Sequence, residues 1–331
     1  LKQTTHTTNT MKEKFSLLKA INDVANNRQL DERAQEVVTA GISEMRKAGQ
    51  SYSGQIVLPI EERANIQATV ATAGQENVAE DKLGILEPLR ASLVLAQAGA
   101  SYMTGLVGNV SIPVYSGSNV GWAGEVTAAS DGAGTFSEVN LEPKRLTAYI
   151  DVSKQFLIQD SNSAEEMLKR DIVSAISNKL EATILGTAAG SATQPAGLLN
   201  GVTADTAAVT YTDFVNMEAT LGEKNVRGDI KFIVSPSAKA VLKSTAKNQN
   251  SFIMEGNEVN GYPVLCTSAV AGKGIVYGNF ADLVIGQWGG IDLTVDPYTQ
   301  AANGKVRLVI NAYFDAKPRR TEAFVKKVLK A

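Results

Sequence analysis

Few residues in this 331-residue chain could support covalent or acid–base catalysis. The only histidine is His6, in a polar, threonine-rich stretch, so no positioned imidazole is available for a Ser-His-Asp or Cys-His arrangement. The only cysteine is Cys266, which lies in an apolar stretch where a lone thiol usually serves as a small buried hydrophobe. A single cysteine also excludes an internal disulfide framework.

Metal, phosphate and paired-carboxylate sites also lack their usual residue patterns. No Cys/His cluster has zinc-ligand spacing, and Gly272-Lys273-Gly274 lacks the upstream glycine and the Ser/Thr of a P-loop. Glu165 and Glu166 are adjacent on a predicted helix, where neighbouring side chains do not face each other, so they fit first-turn charges. We therefore predict a protein that is not an enzyme and has no cofactor. A soluble carboxylate-dependent enzyme stays open as one alternative, although no pattern points to it.

Charge and hydropathy limit the classes of partner. The chain has 32 Lys and Arg against 34 Asp and Glu, unlike proteins that grip phosphate backbones through clustered positive charge. The short basic run at 317–320 fits a solvated turn between strands better than a nucleic-acid contact. No stretch approaches the roughly 18 consecutive apolar residues of a membrane span, so no membrane partner is predicted.

The first third of the chain predicts helices followed by an irregular stretch. Apolar residues recur at helical spacing in residues 11–48, with Asp31 as a cap for the second helix and Gly49 as its stop. Residues 50–82 have no sustained period, and apolar character returns at 83–107. Because the chain opens at Leu1 rather than Met, we expect a processed or non-standard N-terminus.

Residues 108–150 predict two strands around a long Gly/Ser/Ala-rich excursion. The first strand covers Val110–Tyr115, and alternating apolar residues predict a return strand over Phe136–Val152. Trp122 is the only large aromatic residue near the tip. A hairpin loop normally needs only about 2–5 residues, so an excursion of this length is expected to be functional or disordered.

The rest of the chain interleaves helices and strands without a regular βαβ rhythm, which indicates an α+β fold. The clearest helix covers 163–185, with Ser163 as its cap and Gly186 as its end. Further helices are predicted at 213–221 and 237–245. The predicted strands are at 231–235, 261–265, 274–277, 283–286, 291–295, 306–314 and 323–328.

Short motifs in a fixed order add a family resemblance. They run Glu87-Pro88-Leu89-Arg90, Ser111-Ile112-Pro113, Trp122-Ala123-Gly124-Glu125, Phe136-x-x-Val139-x-Leu141-x-Pro143-Lys144, Gln159-Asp160-Ser161, Pro195-Ala196-Gly197-Leu198-Leu199, Asn260-Gly261-Tyr262-Pro263-Val264 and Tyr277-Gly278-Asn279-Phe280. Each fragment alone is weakly specific. Together they resemble the tailed-bacteriophage major capsid protein family, which has the Hong Kong 97-type capsid fold.

The resemblance implies a division of the chain into functional parts. Residues 1–82 correspond to an N-terminal arm or scaffold-like segment, and 108–150 to an extended β loop that reaches over a neighbouring subunit. The peripheral domain takes 83–107, 151–194 and 286–331, with 163–185 as its long spine helix, and the axial domain takes 195–285. The loop residues expected to contact another subunit are Tyr115, Trp122, Glu125, Phe136 and Lys144.

The implied function is self-assembly into the icosahedral head shell that encloses phage double-stranded DNA. Expected partners are further copies of the chain in hexamers and pentamers, a portal, decoration or scaffolding proteins, and packaged DNA in weak non-specific contact. The expected location is the virion capsid, assembled in the bacterial host cytoplasm. An encapsulin-like nanocompartment shell is the main alternative, and the long polar segment 1–82 favours the phage.

The resemblance also raises the possibility of covalent cross-linking. Some members of the family join an extended-loop lysine to an asparagine of a neighbour by an isopeptide bond. Residues 111–143 contain no lysine, and Lys144 is the first to follow. We therefore predict a shell held by non-covalent contacts.

Overall fold

The computed structural model describes residues 16–58, 93–115, 117, 120–122, 128, 131–155, 162–248 and 250–330. The helices are α1 (Leu17–Ala25), α2 (Glu32–Lys47), α3 (Val94–Ala98), α4 (Asn162–Ile184), α5 (Tyr211–Glu223) and α6 (Pro236–Ser244). The first strands are β1 (Ile56–Leu58), β2 (Ser101–Met103), β3 (Val110–Tyr115), β4 (Phe136–Leu141), β5 (Lys144–Ser153), β6 (Ile230–Val234) and β7 (Ala246–Asn248). The remaining strands are β8 (Ser251–Phe252), β9 (Glu258–Val259), β10 (Tyr262–Cys266), β11 (Gly274–Asn279), β12 (Leu283–Asp296), β13 (Lys305–Pro318) and β14 (Phe324–Val328).

The chain forms two compact units. Of the described residues, those within 1–85, 147–171 and 289–312 form the first unit, and those within 86–146, 172–288 and 313–331 form the second. One five-stranded sheet has the order β1-β12-β13-β5, with β2 also paired to β12. A second five-stranded sheet has the order β14-β11-β6-β10-β9, and β3-β4 and β7-β8 form two-stranded sheets.

In the first unit, α2 lies directly on strand β1. Asp31 caps α2 by accepting a hydrogen bond from the Ala34 N–H at 2.7 Å, as the sequence predicted. Gly41 on α2 is so close to β1 that an added Cβ would be 2.3 Å from the Val57 carbonyl oxygen. The apolar faces of both N-terminal helices are buried, including Leu17, Leu18, Ile21, Val37, Val38 and Met45.

Strand β1 corrects the prediction that residues 50–82 are irregular. Ile56, Val57 and Leu58 pair antiparallel with residues 291–293 of β12, and all three side chains are buried. Three apolar residues are too few to show an alternating period, so this strand is determined by the β12 edge it pairs with. Residues 59–82 lie outside the described part of the chain.

The core of the second unit lies on the five-stranded sheet of β14, β11, β6, β10 and β9. Phe232 on β6 stacks on Tyr277 of β11 with ring centroids 4.1 Å apart, and Phe214 of α5 lies 6.0 Å from Phe232. Lys327 of β14 forms ion pairs with Asp213 of α5 at 3.1 Å and with Asp205, before that helix, at 2.8 Å. Strand β14 pairs with β11 and so belongs to the same sheet as β6, β10 and β9.

The long helix α4 follows the sequence prediction, and its buried stripe within the second unit includes Ile172, Ile176, Leu180 and Ile184. The predicted helices at 213–221 and 237–245 form as α5 and α6. Ser235 caps α6 by accepting from the Ala238 N–H at 3.1 Å, with Pro236 at the first helical position.

Two strand predictions need correction. The predicted return strand over Phe136–Val152 is two strands, β4 and β5, separated at Glu142 and Pro143. Proline offers no N–H to a ladder, and β4 and β5 pair with different partners, β3 and β13. The predicted strands at 283–286 and 291–295 are one strand, β12, in which Gly289 has a φ of 60°. Gly290 approaches the Leu58 carbonyl oxygen too closely for a larger residue.

The strand predicted at 323–328 forms as β14. It pairs antiparallel with β11 through five residue pairs, so a strand from the predicted peripheral residues 286–331 lies beside one from the predicted axial segment. The division of the chain into peripheral and axial domains stays a prediction.

Candidate functional site: an exposed hairpin

Strands β3 and β4 form a two-stranded antiparallel hairpin around the predicted excursion. The pairing runs from Val110 opposite Leu141 to Tyr115 opposite Phe136, and the described residues add no third strand to it. An isolated two-stranded sheet is at best marginally stable in water. The hairpin therefore depends on contacts with something other than itself.

One face of the hairpin provides such contacts at its base. Val110 and Ile112 pack against a buried cluster of Leu141, Val284 and Trp288, together with Met103, Leu106 and Tyr313. The same face continues outward through Val114 and Val139, which are half-buried. Burial is therefore greatest at the base and decreases toward the tip.

The opposite face and the tip expose large apolar side chains. The rings of Tyr115 and Phe136 lie 4.6 Å apart, and Phe136 is 78% exposed. Val120 and Trp122, beyond the end of β3, are almost completely exposed. Single exposed hydrophobic residues are ordinary, but four on one excursion indicate a surface that becomes buried against another molecule.

Glycine is required close to this tip. An added Cβ at Gly134 would lie 2.2 Å from the Gly117 carbonyl oxygen and 2.6 Å from the Tyr115 ring. Gly117 itself has a φ of 82°, a conformation that L side chains rarely adopt. The glycines of the excursion therefore allow its two sides to approach each other beside the aromatic pair.

The five residues predicted to contact another subunit have different surroundings in the structure. Tyr115, Phe136 and Trp122 are exposed on the hairpin, whereas Glu125 lies outside the described residues. Lys144 lies at the first position of β5, is 8% exposed, and forms an ion pair with Asp315 at 3.1 Å. Their contact with a neighbour stays a prediction, and for Lys144 the structure shows an intrachain partner.

Sequence reasoning missed the residues that hold the hairpin base, above all Trp288 and Asp315. The indole Nε1–H of Trp288 donates to the Gly108 carbonyl oxygen at 2.6 Å. Asp315 is fully buried, yet it occupies an ordinary position in a long strand. The one available signal was a charged residue within the apolar alternation of β13, because charged residues are almost never fully buried without a partner.

The carboxyl groups of Glu181, Asp292 and Asp151, whose pKa values are shifted, take part in structural hydrogen bonds. Burial raises the pKa of Glu181, which accepts a hydrogen bond from the backbone N–H of Leu95 at 3.0 Å. Burial also raises the pKa of Asp292, which lies 3.3 Å from the Asn311 amide nitrogen. The side-chain hydrogen bond from Arg307 lowers the pKa of the half-buried Asp151. None of these groups faces a second carboxyl in the way that an acid–base pair would.

Other predicted chemistry-bearing residues are placed as follows. Cys266 is half-buried at the end of β10, while His6 and the side chains of Glu165 and Glu166 lie outside the described part of the chain. In the basic run, Lys317 donates to the Asn140 carbonyl oxygen at 2.5 Å, and Arg320 donates to that of Lys224 at 3.4 Å. Among the described residues, no group of three or more His, Cys, Asp or Glu side chains could hold a metal ion.

Comparison with known proteins places these features in a family. The sequence profile of the phage capsid family matches residues 81–329. The chain belongs to this family. It is 30% identical over 251 residues to a protein named major capsid protein from Halomonas phage phiHAP-1, which covers 72% of this chain and 41% of that relative. The chain thus spans about two fifths of the length of that relative.

Solved structures of a GTA particle capsid and of phages share the fold. The capsid of a native GTA particle superposes with a TM-score of 0.58 at 17% identity, over 81% of this chain and 97% of that chain. A chain from the structure of Gordonia phage Cozz gives 0.56 at 14% identity, over 72% of this chain and 86% of that chain. One from Microbacterium phage Oxtober96 gives 0.57 at 13% identity, over 81% and 99%.

These findings confirm the predicted α+β fold of the Hong Kong 97 type. They also confirm, at the level of the family, the prediction of a structural protein rather than an enzyme. Among the described residues, no helix combines the length and apolar character needed to cross a membrane.

Proposed function

We propose that this protein is the major capsid protein of a tailed phage or prophage, and that it self-assembles into an icosahedral head shell enclosing double-stranded DNA. The observation that carries the proposal is the β3–β4 hairpin with its exposed aromatic tip, in a chain of the phage capsid family. The hairpin lies on a neighbouring copy, where Tyr115, Trp122 and Phe136 become buried.

Assembly follows from many modest contacts made at once. Burial of apolar surface is worth roughly 25 cal/mol per Å², so a contact of a few hundred Å² supplies several kcal/mol before ordering costs. A closed shell engages every such contact simultaneously, so a weak single interface is sufficient. The subunits form hexamers and pentamers, with a portal and possible decoration or scaffolding proteins as further partners.

The proposed location is the virion capsid, after assembly in the host cytoplasm. The near balance of 32 basic and 34 acidic residues supports a container that touches its DNA weakly, because a strongly cationic chain would retain packaged phosphate backbones.

Electron microscopy of the purified chain tests the proposal. We expect capsomer-sized rings or closed shells in negative stain, and no shells when residues 116–134 are deleted and replaced by Asn-Gly. With Thr135 this leaves a three-residue connection between the paired residues Tyr115 and Phe136, which is enough for a hairpin loop. Strands β3 and β4 are therefore kept, and the far-ultraviolet circular dichroism and the melting temperature should stay close to those of the parent protein. Normal shells from the folded deletion variant would refute the role of the hairpin, and a parent chain that stays monomeric in all conditions would refute the proposed function.

A further inference from the structure

The base of the β3–β4 hairpin is held by several bonds that converge on both of its strands. On the β3 side, Trp288 Nε1–H donates to the carbonyl oxygen of Gly108, two residues before the strand begins. On the β4 side, Lys317 Nζ donates to the carbonyl oxygen of Asn140. Both donors belong to the second unit, as does the whole hairpin.

Asp315 connects these strands to the start of β5. Its Oδ2 lies 3.1 Å from Lys144 Nζ and also accepts the backbone N–H of Glu142 at 3.1 Å. Its Oδ1 accepts the backbone N–H of Ala316 at 3.0 Å. One fully buried carboxylate thus fixes the residues on both sides of Pro143, where the chain leaves the hairpin and enters β5.

We infer that Asp315, Lys144, Trp288 and Lys317 form a clamp that sets the direction in which the hairpin leaves the second unit. These are positioning residues, since the surface expected to contact a neighbour is the tip. The apolar cluster at the base excludes water from one face but is not directional, whereas hydrogen bonds at fixed distances constrain the angle.

Burial makes the ion pair within this clamp sensitive to the loss of one partner. Lys144 is 8% exposed and Asp315 is 0% exposed, so removing either charge leaves the other desolvated and without its counter-charge. The hairpin then keeps its register but loses its fixed angle. The consequence for a shell rests on the proposed function. Subunits whose hairpins leave at different angles meet their neighbours at different angles, so the shells that they build differ in curvature.

Spin-label distance measurements test the clamp on the subunit itself, independently of shell formation. Labels at Ser137→Cys on β4 and at the exposed Lys243→Cys on α6, in a Cys266→Ser background, report the hairpin against the body of the same unit. The labelled protein is diluted with unlabelled protein so that only intrachain distances contribute. We expect a narrow distance distribution in the parent and one at least twice as wide in Asp315→Asn.

Trp288→Phe keeps the ring in the cluster but removes the Nε1–H donor, and it provides a second variant if Asp315→Asn does not fold. Lys327→Met is the matched control, because it breaks an ion-pair group in the same unit that contacts Asp205 and Asp213 and not the hairpin. It should leave the distribution narrow. Unchanged widths in both clamp variants would overturn the inference, and so would equal broadening in Lys327→Met.

Negative-stain images give the second readout. Asp315→Asn and Trp288→Phe should produce a wider range of particle diameters and fewer closed shells than the parent and Lys327→Met. If the distance distribution of a clamp variant is broader but its particles have the same diameters as those of the parent, the clamp does not determine shell geometry. A parent that forms no particles contradicts the proposed function instead, while the distance measurement still decides the clamp.

Discussion

The Glu181 carboxylate accepts a hydrogen bond from the backbone N–H of Leu95, with Oε1 3.0 Å from the nitrogen. Glu181 lies near the C-terminal end of α4, and Leu95 lies in the first turn of α3. The same carboxyl is 3.4 Å from the Thr267 hydroxyl and is only 5% exposed. One buried acid thus joins the long helix to two segments distant from it in sequence.

The pH dependence of stability should report this buried acid. Burial raises the pKa of Glu181, although hydrogen bonds from Leu95, Val94 and Thr267 partly oppose the shift. An acid with a raised folded-state pKa binds its proton more readily when folded. Its contribution to stability therefore falls as pH rises from the ordinary value of 4.5 to the folded-state value, and is constant above that. We expect Glu181→Gln to gain stability relative to the parent at pH 7–8, and the gain to shrink as pH falls toward 4.5. Chemical denaturation at several pH values from 4.5 to 8 measures it.

Glu181→Ala is the control for the hydrogen bonds themselves. It leaves the Leu95 N–H without an acceptor, and an unsatisfied buried donor costs about 1–3 kcal/mol at every pH. A Glu181→Gln variant that is equally destabilised and shows the parental pH profile would contradict the proposed origin of the shift.

Aromatic residues at the hairpin tip should matter for assembly and not for folding. Phe136→Ser removes an exposed ring, so the free energy of unfolding of the subunit should change by no more than about 0.5 kcal/mol. Particle yield should fall at least tenfold in size-exclusion chromatography, because the ring no longer contributes to burial against a neighbour. Phe136→Tyr keeps the aromatic surface and should restore assembly. Parental yield from Phe136→Ser would show that the tip makes no essential contact.

Gly41 in α2 and Gly222 in α5 are two helical glycines whose replacement by alanine tests whether α2 packs closely on β1. Gly41→Ala places a methyl group 2.3 Å from the Val57 carbonyl oxygen, and overpacking of this kind costs typically about 1–3 kcal/mol. Gly222→Ala, in α5, meets nothing within 4 Å and should stabilise the protein by roughly 0.5–1 kcal/mol. Thermal and urea denaturation compare the two. Equal effects would mean that α2 does not lie against β1 in solution.

Assembled particles should contain no covalent links between subunits. Residues 111–143 supply no lysine amine, and the ammonium of Lys144 is buried against Asp315. Particles boiled in denaturant and reductant should therefore run as one band at the mass of the single chain. A ladder of higher bands would contradict this.

The sequence by itself determined the features that repeat locally. Helical spacing of apolar residues was sufficient for α1, α2 and α4, and the sequence also placed β3 at Val110–Tyr115 and a strand returning from Phe136. The Gly/Ser/Ala-rich composition between these strands also indicated an excursion without a core of its own. The motif order added the capsid fold, which the structural likenesses confirm.

Only the tertiary structure decided how that excursion is held. Glu142 and Asp315 are 173 residues apart in sequence, and Gly108 and Trp288 are 180 apart, so no local pattern couples them. The intrachain partner of Lys144 was not predictable for the same reason: the buried Asp315 needs a cation beside it, and only the fold shows that this cation is Lys144. Strand β1 likewise depends on the edge of β12 that it pairs with. Burial, hydrogen bonds and ion pairs depend on which residues are close in space. The sequence lists the residues but does not show which distant ones the fold brings together.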